Sequence, residues 1–129
     1  MLELDVTDEQ SRVAAVRRVE AEHGAVGVLV NNAAHGGGGP VEEVPLSLVR
    51  ETFDTNVFGL IRMCQLALPC MRAQRSGLIV NLGSAAGLVT PPRGCRYAMT
   101  KYADPCRRHG QPHLCPTIIW NGPENGLTR

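Results

Sequence analysis

Residues 26–34 read VGVLVNNAA and residues 78–84 read LIVNLGS, and these two stretches decide the fold. Each is a short run of branched apolar residues that ends in asparagine or other small residues, which is typical of a buried strand leading into a loop. A long helical pattern lies between them, and strands joined through helices favour a parallel, right-handed arrangement. The sequence therefore predicts an α/β fold, a partial doubly wound parallel sheet with helices on both faces.

The composition is that of an ordinary globular domain. Of 129 residues, 43% are hydrophobic and 19% are charged, with 14 glycines and 9 prolines, which excludes collagen, coiled-coil and disordered classes. The net charge is +1 and the basic residues form no stripe, so nucleic acid is not an expected partner. No leader pattern or long apolar run is present, and we therefore expect a soluble, cytoplasmic protein without membrane contact.

Further local patterns place the elements around the two strands. Thr7 and Gln10 form a capping-box signature at the start of a helix, and Gly24 is suited to end that helix. Pro45 suits the first turn of a second helical region, which Ser76 and Gly77 terminate. The predicted elements are strands at 2–6, 26–31 and 78–82, a helix at 8–22, and one or two helices over 46–74.

The chain changes character after residue 103. Residues 104–129 are expected to form an irregular tail rich in Pro, Cys and His, with residues 118–120 as a short strand at most. The five cysteines form an odd set without framework spacing, which favours reduced thiols. The spacing of Cys106, His109, His113 and Cys115 matches no common zinc pattern, so no metal site is expected.

Tyr97 and Lys101 stand four residues apart, so a helix would present both on one face. An ammonium beside a phenol favours the phenolate form, and such a phenol is suited to acid/base catalysis. The pair taken alone is also common on solvated helix faces. Other polar residues extend it in a fixed order: Asp5 after the first predicted strand, Asn32 after the second, Asn56 within a helix, and Ser84 after the third.

This ordered set resembles the short-chain dehydrogenase/reductase family over about residues 2–103. The segments between the set's residues, such as TNVFG at 55–59 and IVN at 79–81, add to the resemblance. The resemblance implies a Rossmann-like fold and hydride transfer between NAD or NADP and a small-molecule alcohol or carbonyl compound. The amino-acid sequence of residues 40–71 is most similar to that of family members that act on steroids, retinoids or related lipophilic alcohols. The resemblance also allows a homo-oligomer built through the helix around 56–74.

The resemblance assigns roles residue by residue. Tyr97 would exchange a proton with the substrate oxygen, and Ser84 would hydrogen-bond the same oxygen. Lys101 would stabilise the phenolate and bind the nicotinamide ribose, while Asn56 would hold a proton-relaying water. Ser84 and Tyr97 should therefore converge on one cleft. The implied cofactor-binding residues are Asp5, Val6, Asn32, Ala33, Tyr97 and Lys101.

The sequence departs from the family pattern in three places. Ala34 stands where the family usually has glycine. The glycine-rich turn that receives the cofactor pyrophosphate is absent from these 129 residues, and with it the residue that selects NAD or NADP. Pro105 would end early the helix that carries Tyr97 and Lys101. We therefore expect little or no dehydrogenase activity from this chain alone.

Structural alternatives stand beside each assignment. Asn56 would also fit a helix cap or kink, Ser84 a turn, and Asn32 a tie between strand ends. A hydrolase alternative rests on His35 and the glycines after it, but Ser84 lacks the G-x-S-x-G context. A third alternative is a non-catalytic, family-derived fragment, since the absent first strand would leave sheet edges unpaired.

Overall fold

The structure is a computed structural model, and it describes residues 2–90, 92–103 and 117–118. Two strands pair in parallel, β1 (Val28–Asn31) with β2 (Leu78–Asn81), in a register that sets Val28 opposite Leu78. The predicted parallel α/β arrangement of these strands is confirmed. The backbone of β3 (Thr117–Ile118) adds an antiparallel strand on the other side of β2.

Helix α1 (Glu9–His23) confirms the first predicted helix but not its predicted cap. Asp8 is the N-cap, and its carboxylate accepts a hydrogen bond from the Ser11 amide at 2.7 Å. Thr7 instead donates its hydroxyl to the Asp5 carboxylate, so the capping box with Gln10 is not formed. Gly24 ends the helix as predicted, with a φ of 85°.

The second helical region confirms the prediction for residues 46–74 and adds a feature that the pattern does not show. Helix α2 (Leu46–Phe53) continues through a π-helical segment at Asp54–Gly59 into α3 (Leu60–Gln74). Pro45 precedes α2 as its N-cap, and the region ends at Arg75 in the left-handed conformation, just before Ser76. A 3-10 turn at Ala85–Gly87 then leads to α4 (Cys95–Tyr102).

The prediction of a strand at residues 2–6 is wrong. Within the described part of the chain, no strand pairs with this segment, and a strand needs a neighbour for its backbone groups. Backbone groups of this segment form hydrogen bonds with side chains at the start of α1 instead. The Asp5 amide donates to the Ser11 hydroxyl, and the Val6 carbonyl accepts from the Arg12 guanidinium.

The core lies between α3, α1 and one face of the sheet. Ala67, Met71 and Ile79 are completely buried, with Val16 and Leu29 packed beside them. On the opposite face of β1, Val28 and Val30 are 57% and 53% exposed. No helix among the described residues has the length and apolarity needed to cross a membrane.

Candidate active site

Helix α4 presents Tyr97 and Lys101 together, as their spacing predicts. The Lys101 ammonium lies 5.6 Å from the centroid of the Tyr97 ring. The same Nζ donates a hydrogen bond to the Leu82 carbonyl at 2.9 Å, at the point where β2 has just ended. The lysine is therefore held between the phenol and the carboxyl end of the sheet, and both side chains are half-buried.

The turn that carries Ser84 is attached to α4 at both ends. Lys101 bonds to Leu82 before the turn, and the Tyr102 hydroxyl donates to the Leu88 carbonyl after it. The Ser84 hydroxyl oxygen accepts from the Ala86 amide at 3.1 Å and caps the short 3-10 helix. The turn role weighed for Ser84 is thus present, and the hydroxyl proton stays available as a donor.

Asn56 lies buried in the π-helical segment, and its amide has three protein hydrogen bonds. Its Oδ1 accepts from the His35 amide at 2.7 Å, and its Nδ2 donates to the His35 carbonyl and to the Thr100 hydroxyl, both at 2.9 Å. Both amide protons are therefore used within the protein. Asn56 connects the loop after β1 to α4 and caps no helix.

Thr100 continues this network to the tyrosine. Its hydroxyl accepts from Asn56 and donates to the Tyr97 carbonyl at 2.8 Å, and its side chain is 1% exposed. Thr100 was not among the predicted site residues, and His35 was considered only for the hydrolase alternative. The signal for Thr100 was its place between Tyr97 and Lys101, on the helix face that turns inward.

The strand ends are tied by Asn31 and Asn81, and not by Asn32. The two residues are register partners, and the Asn31 Nδ2 donates to the Asn81 Oδ1 at 2.8 Å and to the Cys64 Sγ at 3.4 Å. The Asn81 Nδ2 is buried without a hydrogen-bond partner among the described residues. The recurring asparagine at the end of both apolar runs was the available signal for this pair.

The residues expected to meet the cofactor lie in two places. Asn32 and Ala33 are exposed directly after β1, at the carboxyl edge of the sheet. Asp5 and Val6 lie at the start of α1, and no described contact joins them to Tyr97 or Lys101. Hydrogen bonds from the Thr7 amide and hydroxyl hold the pKa of the exposed Asp5 carboxyl below its usual value.

A cavity of about 390 Å³ opens beside the Tyr97 ring. Its walls are residues 36–38, Pro92, Arg93, Gly94 and Tyr97. Ser84 is not among them, so the convergence of Ser84 and Tyr97 on one cleft stays a prediction. Among the described residues, no group of His, Cys, Asp and Glu is arranged to hold a metal ion, and Cys106, His109, His113 and Cys115 lie outside the described residues.

The donor set tests whether a nicotinamide cofactor fits. The Lys101 ammonium can donate three hydrogen bonds, and one of them goes to the Leu82 carbonyl. Two donors are therefore left for the hydroxyls of a ribose. The nicotinamide-ribose end therefore fits. The pyrophosphate end does not fit at the start of α1, because Asp5, Asp8 and Glu9 place three carboxylates there.

Comparison with known proteins agrees with this geometry. The sequence model described as short chain dehydrogenase matches residues 1–104. The chain belongs to the short chain dehydrogenase family. This membership confirms the resemblance and the partial Rossmann-like fold, and it disfavours the hydrolase alternative; the matched relatives are oxidoreductases and dehydrogenases.

Individual family members show the same relationship. The chain is 41% identical over 100 residues to the uncharacterized oxidoreductase YusZ of Bacillus subtilis, covering 78% of this chain and 35% of YusZ. It is 44% identical over 103 residues to estradiol 17-beta-dehydrogenase 1 of Rattus norvegicus, and the match covers 80% of this chain and 29% of that enzyme. The structure of ElxO with NADP bound is similar, with a TM-score of 0.73 and 33% sequence identity, and the match covers 78% of this chain and 41% of the ElxO chain.

These shares show that the chain spans about a third of the length of the curated relatives that it matches. The cofactor of this family is NAD or NADP, and ElxO carries NADP.

The described cysteines, Cys64, Cys70 and Cys95, are not disulfide-bonded.

Proposed function

We propose that the site around Tyr97 interconverts an alcohol and a carbonyl compound with NAD or NADP as the redox partner. When bound, the cofactor supplies or accepts the hydride. In the direction of reduction, the Tyr97 phenol gives its proton to the substrate oxygen, and in oxidation the phenolate takes a proton from the alcohol. Ser84 donates a hydrogen bond to the same oxygen.

The observation that supports this proposal is the position of Lys101. Its ammonium is anchored to the Leu82 carbonyl and lies 5.6 Å from the Tyr97 ring centroid. The anchored ammonium thus keeps a fixed positive charge beside the ring of the proposed acid/base residue. Its two remaining donors are suited to the ribose of the cofactor, with the exposed main chain at Asn32 and Ala33 beside the carboxyl edge of β1.

Asn56 acts in this proposal mainly as a positioning residue. Its amide protons are used by His35 and Thr100, and the Thr100 hydroxyl holds the Tyr97 carbonyl. One Oδ1 lone pair is left to hold the proton-relaying water that the family resemblance implies. Asp5 and Val6 are proposed to meet the adenine, since the Asp5 carboxylate is exposed.

We also propose the domain division at residue 103, a cytoplasmic location and small-molecule substrates. The division is supported by the family match, which ends at residue 104. The homo-oligomer through the helix around 56–74 stays a prediction.

The alternative is a non-catalytic fragment, and a specific observation favours it. Val28 and Val30 of β1 are exposed, and the segment at 2–6 has no strand partner in the described part of the chain. Exposed apolar strand residues invite association with other strands. Such a chain would hold the site residues without the cofactor affinity that turnover needs.

The test compares turnover at two cofactor concentrations. The purified 129-residue chain is assayed with NADH and NADPH against a panel of ketones and aldehydes, with Tyr97→Phe as the matched control. At about 0.2 mM cofactor we expect little or no turnover, because the loss of several phosphate hydrogen bonds weakens binding by orders of magnitude. At about 10 mM we expect slow turnover that Tyr97→Phe abolishes.

Each outcome has a separate meaning. Turnover at the low concentration that depends on Tyr97 would show that the expectation of weak cofactor binding is wrong. No turnover at either concentration, or turnover that Tyr97→Phe retains, would contradict the proposed function and leave the non-catalytic alternative. A titration of NADH fluorescence measures cofactor binding independently of catalysis.

A further inference from the structure

The cavity beside Tyr97 has a basic wall and contains no acidic residue. Of its lining residues, Arg93 is the charged one, and the others are glycines, Pro92 and Tyr97. The Arg93 side chain is exposed, and it has no hydrogen bond or ion pair among the described residues. Its carbonyl accepts from the Gly39 amide at 2.8 Å, which fixes its backbone to the glycine-rich loop.

A second guanidinium lies directly beneath this loop. Arg96 is 9% exposed and donates to the Leu48 and Gly36 carbonyls, both at 3.1 Å. Gly37 has a φ of 154°, and a Cβ there would lie 1.7 Å from the Arg96 Nη2. Only glycine therefore lets the cavity wall and the buried guanidinium approach so closely.

The charge of Arg96 is not neutralised within the described residues. Its partners are two neutral carbonyls, and the ion pairs of the described chain involve Arg12, Arg18, His23 and Arg62 instead. A buried charge without a counterion contributes a positive potential to the adjoining cavity. Lys101 lies 5.6 Å from the Tyr97 ring centroid and is not among the residues that line the cavity.

We propose that this cavity selects alcohol or carbonyl substrates that carry a carboxylate, and that Arg93 is the specificity-determining residue. The proposal rests on the proposed function of Tyr97. Arg93 contacts the carboxylate, since a guanidinium binds a carboxylate through two parallel hydrogen bonds. Arg96 stays bound to the two carbonyls and contributes its field. The expected substrate is therefore an oxo acid or hydroxy acid, and not a neutral lipophilic alcohol.

The experiment measures binding of a matched pair of ketones without cofactor. Phenylglyoxylate carries the carboxylate, and its methyl ester has the same ring and carbonyl without the charge. Ligand-observed NMR at low salt should give at least tenfold tighter binding of the acid than of the ester, with the difference shrinking as salt is added. Equal binding of acid and ester would overturn the proposal.

Variants assign the effect to Arg93. Arg93→Gln should weaken binding of the acid about tenfold and leave the ester unchanged, whereas Arg93→Lys should keep most of the preference. Arg72→Gln, which removes an exposed arginine at the end of α3, should change neither ligand. Loss of the same size in Arg72→Gln, or no loss in Arg93→Gln, would show that the attraction does not involve Arg93.

A cofactor phosphate is the other source of an anion. Adenosine 2′-phosphate is therefore titrated against the same variants. Binding of this nucleotide that depends on Arg93, without binding of phenylglyoxylate, would assign the cation to the cofactor and overturn the proposal. Because these arms need no turnover, an acid preference found in a chain without Tyr97-dependent activity would contradict the proposed function alone.

Discussion

The Asn56 amide donates a hydrogen bond to the Thr100 hydroxyl at 2.9 Å, and this buried contact joins the π-helical segment to the helix that carries Tyr97. Thr100 passes the connection on to the Tyr97 carbonyl, and Asn56 also binds both main-chain groups of His35. The position of the phenol therefore depends on two residues that touch no substrate.

Replacing Asn56 by alanine should destabilise the fold by about 2–4 kcal/mol, because three hydrogen bonds are lost and buried partners stay unsatisfied. Urea unfolding measures the change. Asn32→Ala, at an exposed asparagine, should stay within about 0.5 kcal/mol. A double-mutant cycle with Thr100→Val should give a coupling above about 0.5 kcal/mol. Additive effects would mean that the contact contributes nothing to stability.

The ion pair between Glu9 and Arg62 should make stability depend on pH. Hydrogen bonds from Arg62 and Arg12 lower the pKa of Glu9 from 4.5 to about 2. The folded state thus favours the carboxylate, and its stabilising effect is complete above about pH 4.5 and lost as the pH falls toward 2. When the pH is lowered from about 4.5 toward 2, the free energy of unfolding should therefore fall less in Glu9→Gln than in the parent chain. Unfolding by urea at several pH values tests this, with the exposed Glu42→Gln as control.

Adding a methyl group at Gly59 should separate the start of the chain from the helical region. A Cβ at Gly59 would lie 2.7 Å from the Val6 carbonyl oxygen, which is too close for any real contact. We expect Gly59→Ala to cost about 1–3 kcal/mol in thermal or chemical unfolding. Gly27→Ala is the matched control, since nothing lies within 4 Å of its added Cβ. Equal effects of the two substitutions would contradict the packing of Val6 on Gly59.

Cys70 should react slowly with alkylating reagents. A hydrogen bond to the Glu20 carboxylate raises the pKa of the Cys70 thiol, because the negative carboxylate disfavours the thiolate. Glu20→Gln should therefore speed the reaction of Cys70 with iodoacetamide near about pH 8, while Glu22→Gln should not. Peptide mapping by mass spectrometry separates Cys70 from the other thiols. An unchanged rate in Glu20→Gln would mean that Glu20 does not control the thiol.

Much of the fold could be predicted from local pattern. The helices α1, α2 and α3 follow from apolar spacing and end signals, and β1 and β2 from runs of branched residues. Tyr97 and Lys101 could be placed on one helix face because four residues make about one turn. The π-helical segment at Asp54–Gly59 shows no such pattern, since a shift of one residue in hydrogen bonding depends on what packs around it.

The sequence alone determined the helices, the two parallel strands and the family, because these depend on the order and spacing of nearby residues. Only the tertiary structure decided that residues 2–6 form no strand, that Asn31 rather than Asn32 ties the strand ends, and that Arg96 lies beneath Gly37. The last two depend on partners far along the chain, and the first depends on the lack of a strand partner for residues 2–6 among the described residues. A backbone group or charge is satisfied by whatever the fold places beside it, and its own neighbours in sequence do not specify that partner.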